Sequence, residues 1–170
     1  MHNITIKTER LLLRPLTMKD AEDIFEWVSD ERVSKYMVYQ TYQNIDQVRE
    51  WIDFTEKDSS IHFGFERISD HKLIGSGDID LERENGRCGF GYNFRYDCWG
   101  KGYATEAAKA MIDYAKTNFG AKEFFSSHAE PNIASGRVME KCGLHFVRYG
   151  EFQKLDGSCK MRSIEYEGEL

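Results

Sequence analysis

Two hydrophobic periods alternate along this chain, and their order predicts an α/β (α+β) domain with a mixed sheet. Between Ile61 and Phe94 apolar residues recur at alternate positions, the period of a strand with one buried face. From Ala104 to Phe119 they recur every third or fourth residue, the period of an amphipathic helix. Read through, the order is β, two helices, three β, α, β, α, two β, which no all-α or all-β architecture accommodates.

Each element has a local reason. Ile4, Ile6 and Leu11-Leu12-Leu13 read as a strand or a broken strand pair ending at Pro15. Thr17 followed by Asp20 has the spacing of a capping box, and Ile24, Trp27 and Val28 continue it at helical spacing. A second helix is expected from Asn44 to about Glu56, with Ile45, Val48 and Ile52 on one face. Three strands follow, around Ile61–Phe65, Ile79–Leu81 and Cys88–Phe94. Their turns are expected at Ser69-Asp70-His71 and Glu84-Asn85-Gly86. The helix of Ala104, Ala107, Ala108, Met111, Ile112, Ala115 and Phe119 stops at Gly120, the residue best suited to a left-handed cap. Then come a strand from Lys122 to His128, a helix from Asn132 to Lys141, and strands near Leu144–Tyr149 and Lys160–Tyr166.

Composition removes several function classes. With 170 residues, 41% of them hydrophobic and only 2 prolines, the chain can bury a full core and is not of low complexity. There is no repeat or linker on which to place a domain boundary. No apolar run reaches the roughly 18–20 residues of a membrane span. Met1 to Arg10 alternates apolar and polar residues, so neither a signal peptide nor a membrane partner is expected. A net charge of -6 argues against a nucleic-acid partner, since phosphate-backbone binders are usually basic. Cys88, Cys98, Cys142 and Cys159 contain no C-x-x-C pair, so free thiols and a cytoplasmic location are expected. His2, His62, His71, His128 and His145 show no H-x-H or H-x-x-x-H spacing, so no metal is implied.

The stretch that carries chemistry is Phe90 to Ala108, FGYNFRYDCWGKGYATEAA. A strand enters a loop holding Gly100 and Gly102, and the loop opens into the long helix. Glycines admit close backbone approach, and the first amides of a helix lack intrahelical acceptors, so together they suit a pyrophosphate. The pattern is neither a Walker loop, since Lys101 precedes Gly102, nor a dinucleotide fingerprint, since Thr105 stands at the third glycine. A plain strand-to-helix turn that needs two glycines is the alternative from spacing alone. Cys98 beside Trp99 has no neighbouring histidine to activate it.

Three blocks in register carry a resemblance. Trp99-Gly100-Lys101-Gly102-Tyr103-Ala104 resembles the [QR]-x-x-G-x-[GA] acetyl-CoA loop of the GNAT acetyltransferases. Asn132-Ile-Ala-Ser135-Gly-Arg-Val-Met-Glu-Lys-Cys-Gly143-Leu144 resembles that family's N-x-x-[AS]-x-x-x-[YL]-E-K-x-G-F block. Thr8-Glu-Arg-Leu-Leu-Leu-Arg14-Pro15-Leu with Asp20-Ala21 is similar to the start of the ribosomal-protein N-acetyltransferase (Rim-like) branch. The resemblance covers nearly the whole chain. It implies one acetyltransferase domain over residues 1–170, with a mostly antiparallel sheet flanked by helices and splayed at the acetyl-CoA site.

By that resemblance, backbone amides of Tyr92, Asn93 and Phe94 bind the pantetheine arm and thioester carbonyl, and Trp99, Gly100, Lys101, Gly102, Tyr103, Ala104 and Thr105 hold the pyrophosphate. Asn132 is expected on the pantetheine amides or as a helix cap, and Arg137 on phosphate or in solvent. Met139 stands where many members carry a tyrosine that protonates the leaving thiolate. Ser135 remains as the candidate acid. A family glutamate position is Ser127, which leaves His128 as a candidate base. Trp27, Tyr36, Tyr39 and Tyr42 are either an acceptor wall or core filling. The implied activity is direct acetyl transfer to a primary amine, on a small molecule or a protein N-terminus, by a monomer or homodimer. The rival is a non-catalytic acyl-CoA-binding or regulatory module, which Met139 makes conceivable.

Overall fold

The periodicities resolve into eight strands and five α-helices in the computed structural model, which describes residues 4–82 and 86–170. In order these are β1 (Ile6–Lys7), β2 (Leu11–Arg14), α1 (Ala21–Val28), α2 (Glu31–Ser34), α3 (Ile45–Thr55), β3 (Ile61–Arg67), β4 (Lys72–Glu82), β5 (Arg87–Phe94), α4 (Tyr103–Phe119), β6 (Glu123–Ala129), α5 (Ile133–Lys141), β7 (His145–Gln153) and β8 (Lys160–Glu169). The opening segment is a broken pair: Ile6 lies opposite Leu13 on the antiparallel neighbour. The short α2, capped by Asp30, has too few residues to show a period in the sequence. β8 runs three residues past Tyr166, through Glu167 and Glu169, because its backbone still pairs with Glu123 and Phe125 of β6. The residues Glu84 and Asn85 of the expected turn lie outside the described residues.

All strands share one sheet in the order β1-β2-β3-β4-β5-β6-β8-β7, antiparallel except for β5 beside β6. That parallel pair is joined through α4. One face packs Leu13, Phe63, Phe65, Ile79 and Phe90 against Ala107, Ala108, Met111 and Ala115 of α4. The other packs Leu16 and Leu73 against Ile24, Trp27, Val28, Val48 and Ile52 of α1 and α3. Met111 is fully buried, and burial of a side chain of that size contributes roughly 1.5–3 kcal/mol. α4 is therefore held against the sheet by the core.

The Thr17–Asp20 pattern does cap, though it caps a single 3₁₀ turn (Met18–Asp20) that leads into α1. The Asp20 carboxylate accepts from the Thr17 amide at 2.7 Å and from Arg14, whose Nε also donates to Glu66 at 2.7 Å. Burial pushes the Asp20 carboxyl up, but these donors together hold it below the ordinary aspartate range.

The feature that matters for function is a short pairing. β5 and β6 are in register only at Arg87↔Glu123, Cys88↔Phe124 and Gly89↔Phe125. Beyond Gly89 the two strands part, each keeping its other neighbour: β5 stays with β4 as far as Phe94↔Gly75, and β6 with β8 as far as Ala129↔Ser163. The splayed, mostly antiparallel sheet implied by the resemblance is thus what the chain forms.

Candidate functional site

Strand geometry fixes which groups line the split. Arg95 donates its amide to Ile74 of β4, while on the other edge the Phe90 carbonyl accepts from the Ser126 hydroxyl at 2.7 Å. Backbone groups alternate along an antiparallel strand, so the amides of Tyr92 and Phe94 face the split and that of Asn93 faces β4. Two of the three amides singled out from the sequence are therefore available there. Asn93 offers something else: its Nδ2 donates to Ser76 Oγ at 3.0 Å, leaving Oδ1 buried without a partner. The Phe94 carbonyl is taken by the Trp99 indole at 2.9 Å.

At the end of β5 the chain turns into α4 through Gly100 and Gly102, at φ of 72° and 84°. Left-handed backbone there favours glycine, and Gly102 caps the helix without any side chain. The first helical bond is from Glu106 to the Gly102 carbonyl, so the amides of Tyr103, Ala104 and Thr105 lack intrahelical partners. Glu106 would repel an anion at that terminus. It is held by the Thr8 hydroxyl at 2.6 Å, the Arg10 amide at 2.8 Å and the Arg10 guanidinium at 2.7 Å. Burial raises its pKa, yet these donors bring it below the ordinary glutamate value. Arg10 also donates to the Lys101 carbonyl at 2.9 Å and lies 4.5 Å over the Tyr103 ring. It is a cation at the loop that the sequence did not reveal, since it reaches Glu106 across 96 residues.

The far wall of the split is α5. Asn132 stands at its start, but its side chain makes no capping bond, so the amide group is free for other use. Ser135 Oγ lies 3.0 Å from the Tyr92 hydroxyl, which reaches across from β5. Arg137 is exposed on the same helix. Met139 is 1% exposed in the core and unavailable for chemistry. His128 takes the face of β6 that packs under α5: its Nδ1 bonds the Ala129 carbonyl at 2.8 Å and its Nε2 is buried without a partner. Gly136 permits this, because a Cβ there would lie 2.7 Å from that nitrogen. Ser127, one residue earlier, is exposed.

Split, loop and α5 open into one cavity of about 1040 Å³. Every residue proposed above for the cofactor lines it except Lys101, whose exposed side chain points elsewhere. Of the aromatic candidates only Tyr36 lines it, with Met37 and Val38 beside it. Trp27 and Tyr39 belong to the α1–α3 core instead, as does Tyr42. Cys98 is buried, and burial pushes its thiol upward, away from nucleophilic use.

The cavity also continues onto the face of the sheet opposite α4. Gly77 meets Phe65 and Met111 of the α4 side, so the alternating neighbours Asp78 and Asp80 point the other way. Asp78 leans over bare Gly91, where a Cβ would be 3.1 Å from its Oδ1. Burial pushes the Asp78 carboxyl above the ordinary aspartate value, with Asp80 and Asp58 adding to it and His62 opposing. Among the described residues neither Asp78 nor Asp80 has an ion-pair partner, whereas Glu165 and Glu167 nearby are paired with Arg148 and Arg87. Asp78 is the carboxylate that sequence reasoning missed, because an aspartate at alternate strand spacing looks like any solvent-facing residue. Among the described residues no group is placed to hold a metal ion, and no helix is long and apolar enough to cross a membrane.

The family model described as acetyltransferase (GNAT) domain matches residues 10–145. The uncharacterized N-acetyltransferase p20 of Bacillus licheniformis is 29% identical over 161 residues, covering 90% of this chain and 89% of its own. Among solved structures, a GNAT-family acetyltransferase from Bacillus anthracis has a TM-score of 0.84 at 26% identity, with 98% of each chain covered. Spermidine N-acetyltransferase from Vibrio cholerae, solved with CoA and spermine, shares the fold at a TM-score of 0.80 and 17% identity, over 95% of this chain and 96% of its own. The chain belongs to the GNAT acetyltransferase family and is an acyltransferase of that fold.

One clamp holds the segment of Tyr36, Met37 and Val38 that lines the cavity. Lys154, in the β7–β8 loop, is buried and donates from Nζ to the carbonyls of Ser34, Met37 and Tyr39 at 2.8, 3.0 and 2.8 Å. Burial holds its pKa below the ordinary lysine value. Lys154→Met removes the charged donor from three carbonyls, of which only that of Ser34 keeps another, the Met37 amide, and is expected to lower stability by about 1.5–3 kcal/mol. Trypsin should then cut faster after Lys35. Unchanged Tm and cleavage would show that the clamp does not hold this loop.

Proposed function

We propose that this enzyme transfers the acetyl group of acetyl-CoA directly to a primary amine, both substrates being bound together. The observation that carries the reading is the run of unpaired β5 amides, Tyr92 and Phe94, ending at the free N-terminus of α4 within one cavity. An extended amide-bearing arm fits the first as a strand would, and a pyrophosphate fits the second. The unpartnered Asn132 side chain suits the same arm. Acetyl-CoA supplies the acetyl group already activated as a thioester.

The residues then divide the work. An amide in the split, Tyr92 or Phe94, faces the thioester oxygen where negative charge develops. The amine nitrogen bonds the acetyl carbon, the C–S bond breaks, and its electron pair leaves on sulfur. Asp78 takes the proton that the nitrogen gives up, and the Ser135 hydroxyl donates to the sulfur. Asp78 takes the base role in place of His128, whose ring is turned under α5. The acceptor is an amine carried by a small molecule or a protein N-terminus. Asp78, Asp80 and the net charge of -6 favour a cationic one.

Isothermal titration with acetyl-CoA tests the cofactor. Micromolar affinity is expected for the wild type and at least a hundredfold loss in Gly102→Glu, which strains a left-handed position and puts a carboxylate at the helix start. Absence of binding by the wild type would end the transferase reading. Asp78→Asn tests the base against an amine panel of α-amino peptides and polyamines. Protonated Asp78 cannot accept, so kcat/KM should fall as pH drops through a value above the ordinary aspartate pKa of about 3.9. In the variant that limb should vanish and the rate at pH 7 drop about a hundredfold. A wild-type profile in Asp78→Asn would exclude this carboxylate.

A further inference from the structure

We infer that the Tyr92 hydroxyl stands behind Ser135 as the second member of a two-hydroxyl chain that stabilises the departing thiolate. The inference rests on the acetyl-transfer reading above and assigns a positioning residue within it. Tyr92 is anchored by its ring, which stacks on Phe90 with centroids 6.3 Å apart, while its hydroxyl crosses the split to α5. There it lies 3.1 Å from the Ser135 carbonyl and 3.0 Å from Ser135 Oγ.

These two contacts give the phenol proton two acceptors. A carbonyl can only accept, so when the proton points there the serine proton is spent on the phenol oxygen. When the phenol donates to Oγ instead, the serine proton is released to point into the cavity. An anion in the cavity selects the second arrangement, because a hydrogen bond to a charged acceptor is stronger than one to a neutral phenol. Each hydroxyl then polarises the next. α5 has no phenol of its own for this work, since Met139 is buried in the core. Burial keeps the Tyr92 phenol protonated well above its ordinary range, with the bond to Ser135 opposing, so it remains a donor at working pH.

No extra reactant is required. The amine proton passes to Asp78, the sulfur leaves as a thiolate hydrogen-bonded by Ser135, and both hydroxyls keep their protons throughout the step. Other titratable groups stand near: the Cys142 thiol, pushed by burial to about 11, His128 and Tyr166 beneath α5, and Arg137 on its exposed side. A test must cancel their contributions, and comparing CoA with acetyl-CoA does so, because the two differ only at sulfur.

The experiment is calorimetry of both compounds from pH 7 to about pH 10.5 on the wild type, Tyr92→Phe, Ser135→Ala and the double variant. A site that stabilises the thiolate lowers the bound thiol's pKa below that of free CoA, an alkyl thiol that ionises above the cysteine value of about 8.5. Affinity for CoA relative to acetyl-CoA must then climb as pH rises through the bound value and level off above the free one. A rise of roughly tenfold is expected in the wild type, as for a bound thiol that ionises about one pH unit lower than the free one. Tyr92→Phe and Ser135→Ala should each cut it below about threefold, and the double variant should do no worse than Ser135→Ala alone. Tyr92→Phe keeps the ring that stacks on Phe90, and its far-UV circular dichroism and Tm, compared with the wild type, report an intact fold. A full rise in Tyr92→Phe, or additive losses in the double variant, would overturn the inference while acetyl-CoA binding left the cofactor reading standing. Failure of the wild type to bind acetyl-CoA would overturn both.

Discussion

Everything that makes this sheet a site follows from β5 leaving β6 after three paired residues. A parallel pair that continued would satisfy the amides of Tyr92 and Phe94 within the protein and leave an ordinary core. By parting, the strands expose donors whose burial without partners costs about 1–3 kcal/mol each. The fold tolerates this because both strands keep their outer neighbours and because Phe90 and Phe94 remain buried against the α4 side. The cost is set against core packing elsewhere, and the donors stay available for an extended ligand.

The second half of the site is electrostatic. A helix N-terminus carries roughly half a positive charge, and α4 presents it where β5 ends. A glutamate in the first turn would cancel much of that for an incoming anion. Arg10 and Thr8, from the β1–β2 turn, absorb the Glu106 charge and add a guanidinium beside the glycine loop. The N-terminal hairpin is thus part of the loop's electrostatics as well as an edge of the sheet. On the opposite face the sign reverses, with Asp78 and Asp80 unpaired among the described residues. The two faces of one split are thereby opposite in charge, one suited to an anion and the other to a cation.

Local features were legible and long-range ones were not. The glycine loop, the helix ending at Gly120 and the helix beginning at Asn44 depend on neighbours within a few residues, and the structure has them where the spacing put them. Arg10 was invisible because its partner is 96 residues away. His128 has the right chemistry for a base, but strand parity turns it beneath α5, and parity relative to a helix not yet placed cannot be read from a sequence. Trp27, Tyr36 and Tyr39 looked alike as aromatics, and only packing separates the one that lines the cavity from the two that fill the core. Asp78 failed to stand out because its significance depends on a bare glycine across the strand pair and on the split beside it.

The central claim is that two backbone donors of β5 are held open and are filled only by an extended substrate. Amide hydrogen exchange measured residue by residue, with and without acetyl-CoA, tests it most directly. The account predicts rapid exchange at Tyr92 and Phe94 beside slow exchange at Asn93 and Arg95, and selective slowing of the first two when acetyl-CoA binds. Slow exchange at all four before ligand is added, or binding that leaves Tyr92 and Phe94 unprotected, would contradict it.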